Sequence, residues 1–173
     1  MQEFNKIFKT YIRKNDNITE LKLGYKNLGV NKLKYLSLID FSNLEQLWLS
    51  NNNITDINIL EKVNFPKLQT LDLSNNKISD INIFEIVNFN NLKNLWLNNN
   101  IINDISVFSK VKFIKLVELN LKNNRIKDIS IFEKSKFIYL QSLDLSLNKI
   151  DIDIAKNKDI CDNLRTKIKY FNI

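Results

Sequence analysis

The chain repeats itself every 24 residues, and that period limits what it can fold into more than any other feature. Stretches beginning at Leu44, Leu68, Leu92, Leu116 and Leu140 read LEQLWLSNNNITDI, LQTLDLSNNKISDI, LKNLWLNNNIINDI, LVELNLKNNRIKDI and LQSLDLSLNKIDID, in phase and without a gap. The shared pattern is L-x-x-L-x-L-x-x-N-x-I, and four of the five units keep Asp-Ile two residues after that isoleucine. Other columns recur at the same period. Leu60, Phe84, Phe108 and Phe132 form one; Phe41, Phe65, Phe89, Phe113 and Phe137 a second; Val63, Val87 and Val111 a third, broken by Ser135. One such unit cannot bury enough apolar surface to offset the entropy of ordering its backbone. Stacked units share burial on both faces, so the chain must form an array.

Within each unit the L-x-L core predicts a short strand. Alternation puts Leu47 and Leu49 on one face and Trp48 on the other, and successive strands stack in parallel about 4.8 Å apart. Asn52, Asn76, Asn100, Asn124 and Asn148 fall where the strand turns. Asparagine tolerates left-handed backbone there, and its amide can bond neighbouring backbone groups. Asp56, Asp80, Asp104 and Asp128 are predicted N-caps of a short helical turn on the opposite side. One carboxylate per unit does not converge on a point, so this column is not read as a cation site.

These in-phase columns resemble the leucine-rich repeat family over residues 44 to 152. A degenerate copy comes first: Ile18, Leu21, Leu23 and Leu28 match the apolar positions, and Lys26 stands where the asparagine should be. The resemblance implies an α/β fold, a right-handed solenoid whose parallel β-sheet lines a concave side. It also implies that the asparagines form a structural hydrogen-bonded ladder. The Asn-x-Ile-x-x-Ile turn is similar to the phosphatase-regulator and internalin subclasses; the unit here has 24 residues and an added phenylalanine column.

An array needs its ends covered. One domain is expected over 1–173, divided into a capping helix (1–16), an irregular first repeat (17–43), regular repeats (44–152) and a C-terminal cap (153–173). Phe4, Ile7, Phe8, Tyr11 and Ile12 lie at helical spacing, which suits a cap. The opposite face carries Lys6, Lys9, Arg13 and Lys14, which leaves a membrane-surface helix open as the other reading. At the far end Ile160, Leu164 and Ile168 also have helical spacing. A short helix is expected there, followed by a last strand through Leu164, Ile168 and Tyr170, with Cys161 as a buried small apolar residue.

Composition enters through what it removes. With no histidine and a single cysteine, zinc sites and the commonest acid–base and nucleophilic pairs cannot be assembled. Gly24 and Gly29 are the only glycines, so no glycine-rich phosphate loop exists. No enzyme activity, cofactor, metal or small-molecule substrate is expected. No apolar run reaches the roughly 20 residues of a membrane span, and the N-terminal stretch lacks the features of a secretory signal. A single cysteine, without the disulfide-bonded caps of extracellular family members, suits a cytoplasmic protein, with non-classical export left open.

The formal net charge is +7, so the location of the charge decides what it means. The outward strand positions over the five clear units include Gln46, Trp48, Thr70, Asp72, Asn94, Trp96, Glu118, Asn120 and Asp144, the candidate partner-binding residues; Glu20 and Lys22 extend the same columns into the first unit. Among the fifteen outward positions of the clear units, carboxylates outnumber the single Lys122. A nucleic-acid groove would place its Lys and Arg there among aromatics. Trp48 and Trp96, two units apart and so about 10 Å, flank Asp72 instead. Tryptophan is enriched in interface hot spots and costly to expose. The expectation is a monomeric scaffold, adaptor or regulatory subunit that binds a protein or peptide through the concave face. The alternative is an electrostatic binder of anionic membrane or nucleic acid, acting through the basic termini and a lateral column of Lys77, Arg125 and Lys149.

Overall fold

The structure, a computed structural model, describes residues 2–8, 10, 17–133 and 137–173. Strands β1 (Glu20–Lys22), β2 (Gln46–Trp48), β3 (Thr70–Asp72), β4 (Asn94–Trp96), β5 (Glu118–Asn120), β6 (Ser142–Asp144) and β7 (Tyr170–Asn172) form one parallel sheet in chain order. Its register is the repeat itself: Leu21, Leu47, Leu71, Leu95, Leu119 and Leu143 pair in succession. Both inward leucines of each unit from β1 to β6 are buried, as Leu47 and Leu49 show. Strands β2 to β5 each return through a 3-10 turn on the convex side: Asn58–Lys62, Asn82–Glu85, Ser106–Ser109 and Ser130–Glu133. Leu60, Phe84, Phe108 and Phe132 pack inward from these turns.

Phenylalanines thread the core lengthwise. The rings of Phe41, Phe65, Phe89 and Phe113 follow one another at 5.6, 6.4 and 6.3 Å. Helix α1 (Gln2–Phe8) docks on the open end of this stack by setting Phe4 against Phe41 at 6.0 Å, with Phe8 also buried. The proposed cap residues Lys9, Tyr11, Ile12, Arg13 and Lys14 lie outside the described residues, as does Ser135.

The asparagine column is a ladder with a direction. Asn76 Oδ1 accepts the backbone N–H groups of Asn52 and Ile54, both at 3.0 Å, in the unit before its own. Its Nδ2 donates to the carbonyls of Leu49 and Leu73, both at 3.0 Å, and so ties two units together. Asn100, Asn124 and Asn148 each accept the equivalent isoleucine N–H of the preceding unit. The first unit therefore needs no asparagine of its own. Asn52 serves it by accepting the N–H groups of Lys26 and Leu28, which makes Lys26 permissible at the turn.

Three local expectations are corrected. Left-handed backbone falls one residue earlier than the ladder, at Asn51, Asn75, Asn99, Asn123 and Leu147, all with φ between 53° and 59°. The ladder side chain must point into the turn, so the preceding residue absorbs the reversal. The caps are shifted too: Ile57, Ile81 and Ile105 occupy the N-cap positions without a side-chain bond. The aspartates act from one residue further out, each accepting the N–H two residues on, as Asp56 does from Asn58 at 2.7 Å and Asp80 from Asn82 at 2.8 Å.

The third concerns the C-terminal end. Helix α2 (Ala155–Lys167) runs 13 residues and retains Leu164, while Ile168 is its C-cap. Strand β7 follows with Phe171 in register with Leu143. Tyr170 points away and is exposed. A 13-residue helix buries Ile160, Cys161 and Leu164 along one face, which leaves only the last residues free to extend.

Candidate functional site

The middle outward column runs Lys22, Trp48, Asp72, Trp96, Asn120 and Asp144 across adjacent strands. Strands β2 and β4 are separated by β3, which puts their backbones about 10 Å apart. The two indoles close that gap by leaning toward each other: their ring centroids are 5.4 Å apart, at 51° between planes. This corrects the expectation of two separate rings flanking an open carboxylate. Asp72 is only 6% exposed and Thr70 only 8%, so neither is a free contact residue.

Each indole is held at its outer end by a glutamate. Trp48 Nε1 donates to Glu20 Oε1 at 3.0 Å, and Trp96 Nε1 donates to Glu118 Oε1 at 2.8 Å. The order across the sheet is carboxylate, indole, indole, carboxylate. Glu20 Oε2 also pairs with Lys22 Nζ at 3.0 Å. Glu20 is thus part of the site although it lies outside the nine candidates drawn from the regular repeats. Its column is that of Gln46, Thr70, Asn94 and Glu118, so the repeat register was the signal that could have included it.

Asp72 has work within its own strand. Its Oδ1 accepts the Ser74 N–H at 2.9 Å; Asn120 does the same for Lys122 at 3.1 Å and Asp144 for Ser146 at 2.9 Å. A short side-chain acceptor in this column satisfies the backbone where the strand ends. The tryptophans cannot do this, so their presence at the same position is not explained by the turn.

A family model described as leucine-rich repeats in two copies matches residues 42–85 and 66–110. Residues 42–110 are leucine-rich repeats. Solved structures share the architecture, two internalins among them. An internalin (inlF) of Listeria monocytogenes aligns with a TM-score of 0.64 and 24% identity, covering 98% of this chain and 54% of that one. Internalin C2 of the same species gives a TM-score of 0.57 and 20% identity, covering 99% of this chain and 90% of that one. The chain thus spans about half the length of the first. At these identities the likeness is one of fold. No curated protein matches the chain in sequence.

On the leucine-rich repeat sheet, Gln46, Trp48, Asn94, Trp96, Glu118, Asn120 and Asp144 are all half-buried on the concave face. Asn94 Nδ2 donates to Thr70 Oγ1 at 3.1 Å and helps to roof it. The ladder asparagines Asn52, Asn76, Asn100 and Asn124 are buried beneath the turns, and Asn148 is half-buried. Among the described residues every buried side-chain nitrogen and oxygen has a hydrogen-bond partner. Also among them, no helix is long and apolar enough to cross a membrane.

Proposed function

We propose that the chain is a non-enzymatic protein-interaction module, a scaffold, adaptor or regulatory subunit, whose concave sheet takes a protein or peptide at a patch centred on Trp48 and Trp96. One observation carries the reading: two indoles from non-adjacent strands converge, yet both keep part of their surface open to solvent. Tryptophan supplies a large apolar contact at low conformational cost, and interface hot spots favour it. The surrounding Gln46, Asn94 and Asn120 form a half-buried polar rim suited to hydrogen bonds with a bound backbone.

No acid–base pair converges on this patch, which favours binding over catalysis. The module is read as a cytoplasmic monomer, in keeping with one buried thiol and no disulfide. The electrostatic alternative is the weaker reading, because Ile101 stands between Lys77 and Arg125 in the lateral column and separates their charges by two repeats.

Pull-down from the organism's own cell extract tests this. The bait would be wild type, Trp48→Ala with Trp96→Ala, and Lys77→Glu with Arg125→Glu and Lys149→Glu. Partners lost from the tryptophan variant and kept by the charge variant support the concave face, provided both variants melt as folded proteins. Partners kept by the tryptophan variant overturn it. Partners lost only from the charge variant, and released by salt, favour the electrostatic reading.

A further inference from the structure

The proposed function leaves open what chemistry the patch selects, and the ends of the indole pair bear on that. A bare aromatic pair would take apolar side chains. Here each indole N–H is already bonded to a carboxylate, Glu20 at one end and Glu118 at the other. The N–H edges are therefore spent, and what the patch offers a ligand is ring face bordered by negative charge. Ring faces attract cations through their quadrupole. A carboxylate holding one indole N–H keeps further lone pairs for another donor.

Lys22, on the same face, sets its ammonium 3.0 Å from the second oxygen of Glu20. Glu118 carries the same indole bond at the opposite end of the pair, beside the uncharged Asn120 and Asn94 of its neighbouring positions. The charge of the face contrasts with the charge of the chain: a protein of net +7 bonds both indole N–H groups of its tryptophan pair to carboxylates, and only the Glu20 end has an amine, Lys22, beside it.

We propose, resting on the concave-face reading above, that the indole pair and its two glutamates form a subsite for a cationic side chain, and that the ligand is a basic peptide segment, presenting arginine in preference to lysine. A guanidinium lies flat on an aromatic face and offers several N–H donors to a bordering carboxylate, which an ammonium does not. Because protein and peptide share the sign of their net charge, long-range steering does not assist association. The attraction is short-range, so affinity falls only weakly with salt, unlike binding of a polyanion.

Trp48 and Trp96 are the only tryptophans in the chain, so tryptophan emission, excited beyond the tyrosine absorption band, reports on this subsite alone. The experiment titrates the full chain with an acetylated, amidated heptapeptide of alternating glycine and arginine. A counterpart carrying citrulline, which keeps the shape and loses the charge, is the control. Both are repeated on Glu20→Gln with Glu118→Gln, in which the amide oxygens can still accept the indole N–H groups; unchanged melting shows that this variant is folded. The expected result is a saturable fluorescence change with the arginine peptide, about tenfold weaker binding of the citrulline peptide, and a similar loss on the double glutamine variant. Equal binding of the two peptides, no loss on the glutamine variant, or no saturable change with arginine overturns the proposal. The outcomes separate it from the broader reading. If the glutamine variant keeps its cellular partners while the tryptophan variant loses them, the concave face stands and the cation preference falls.

Discussion

Trp48 and Trp96 stand on strands that do not touch, and their rings meet at 5.4 Å across the strand that holds Asp72. Two residues 48 positions apart in sequence thus act as one surface. Their contact has an energy that can be measured separately from any ligand. In a double-mutant cycle, Trp48→Ala and Trp96→Ala should each destabilise the fold modestly and should couple by about 0.5–1.5 kcal/mol, the range for aromatic pairs. Chemical denaturation of the four proteins gives the number. Strict additivity would mean that the rings are independent in solution.

Asn76 makes its bonds inside the protein, and Asn148 makes the equivalent ones at a half-buried position. Asn76→Ala leaves the buried N–H groups of Asn52 and Ile54 without their acceptor, while the Leu49 and Leu73 carbonyls keep bonds from Asn52 and Asn100, and should cost about 3 kcal/mol. Asn148→Ala should cost visibly less, because water reaches the groups it abandons. Urea midpoints of the two variants should differ in that order; equal losses would deny the ladder its role.

Leu147 occupies the position that other regular units give to asparagine, with φ of 59° and two-thirds of its surface exposed. A left-handed backbone disfavours leucine and suits asparagine. Leu147→Asn should therefore stabilise the protein by about 0.5–1 kcal/mol, whereas Asn99→Leu should destabilise it by at least as much, since Asn99 also bonds Asn75 and Asn123. Thermal melts of both variants check the pair of signs.

The Ser130 N–H, donating to Asp128 Oδ1 at 2.8 Å, is the main reason the Asp128 carboxyl sits below its ordinary value; the Ser130 hydroxyl and Lys156 act in the same direction, and desolvation opposes them. A carboxyl whose folded pKa is depressed stabilises the fold above its unfolded pKa, near 4, and loses that contribution as pH falls through the folded value. Asp128→Asn should accordingly lower stability at neutral pH, and the gap from wild type should close in acid. The group is well exposed, so the effect should be a few tenths of a kcal/mol. Denaturation at neutral pH and at about pH 2 reveals the convergence. A gap that persisted in acid would point to packing instead of charge.

Strand phase was readable from the sequence because two periods agree: alternation within L-x-L and recurrence every 24 residues both send Leu47 and Leu49 inward. Quantities that depend on side-chain direction were not. The lean of Trp48 toward Trp96 is a rotamer choice made against a residue two units away, and no local pattern encodes it. The choice between adjacent asparagines was hidden for a simpler reason. Asn51–Asn52, Asn75–Asn76, Asn99–Asn100 and Asn123–Asn124 are identical pairs, so the residue that bends and the residue that bonds look alike. At the C-terminal end the period lapses, and Phe171 and Tyr170 offered equally apolar alternatives for the last strand. The longer helix α2 decided between them.

The direction of the asparagine ladder gives the protein an order in time as well as in space. The turn of each unit up to the one holding Asn124 is completed by an amide further along the chain, 22 residues beyond the isoleucine N–H it accepts and, in the first unit, 24 beyond the Leu28 N–H. A ribosome delivers the N-terminal units first. The growing protein therefore always trails one turn that it has made and cannot yet close, and each newly emerged repeat finishes the one before it.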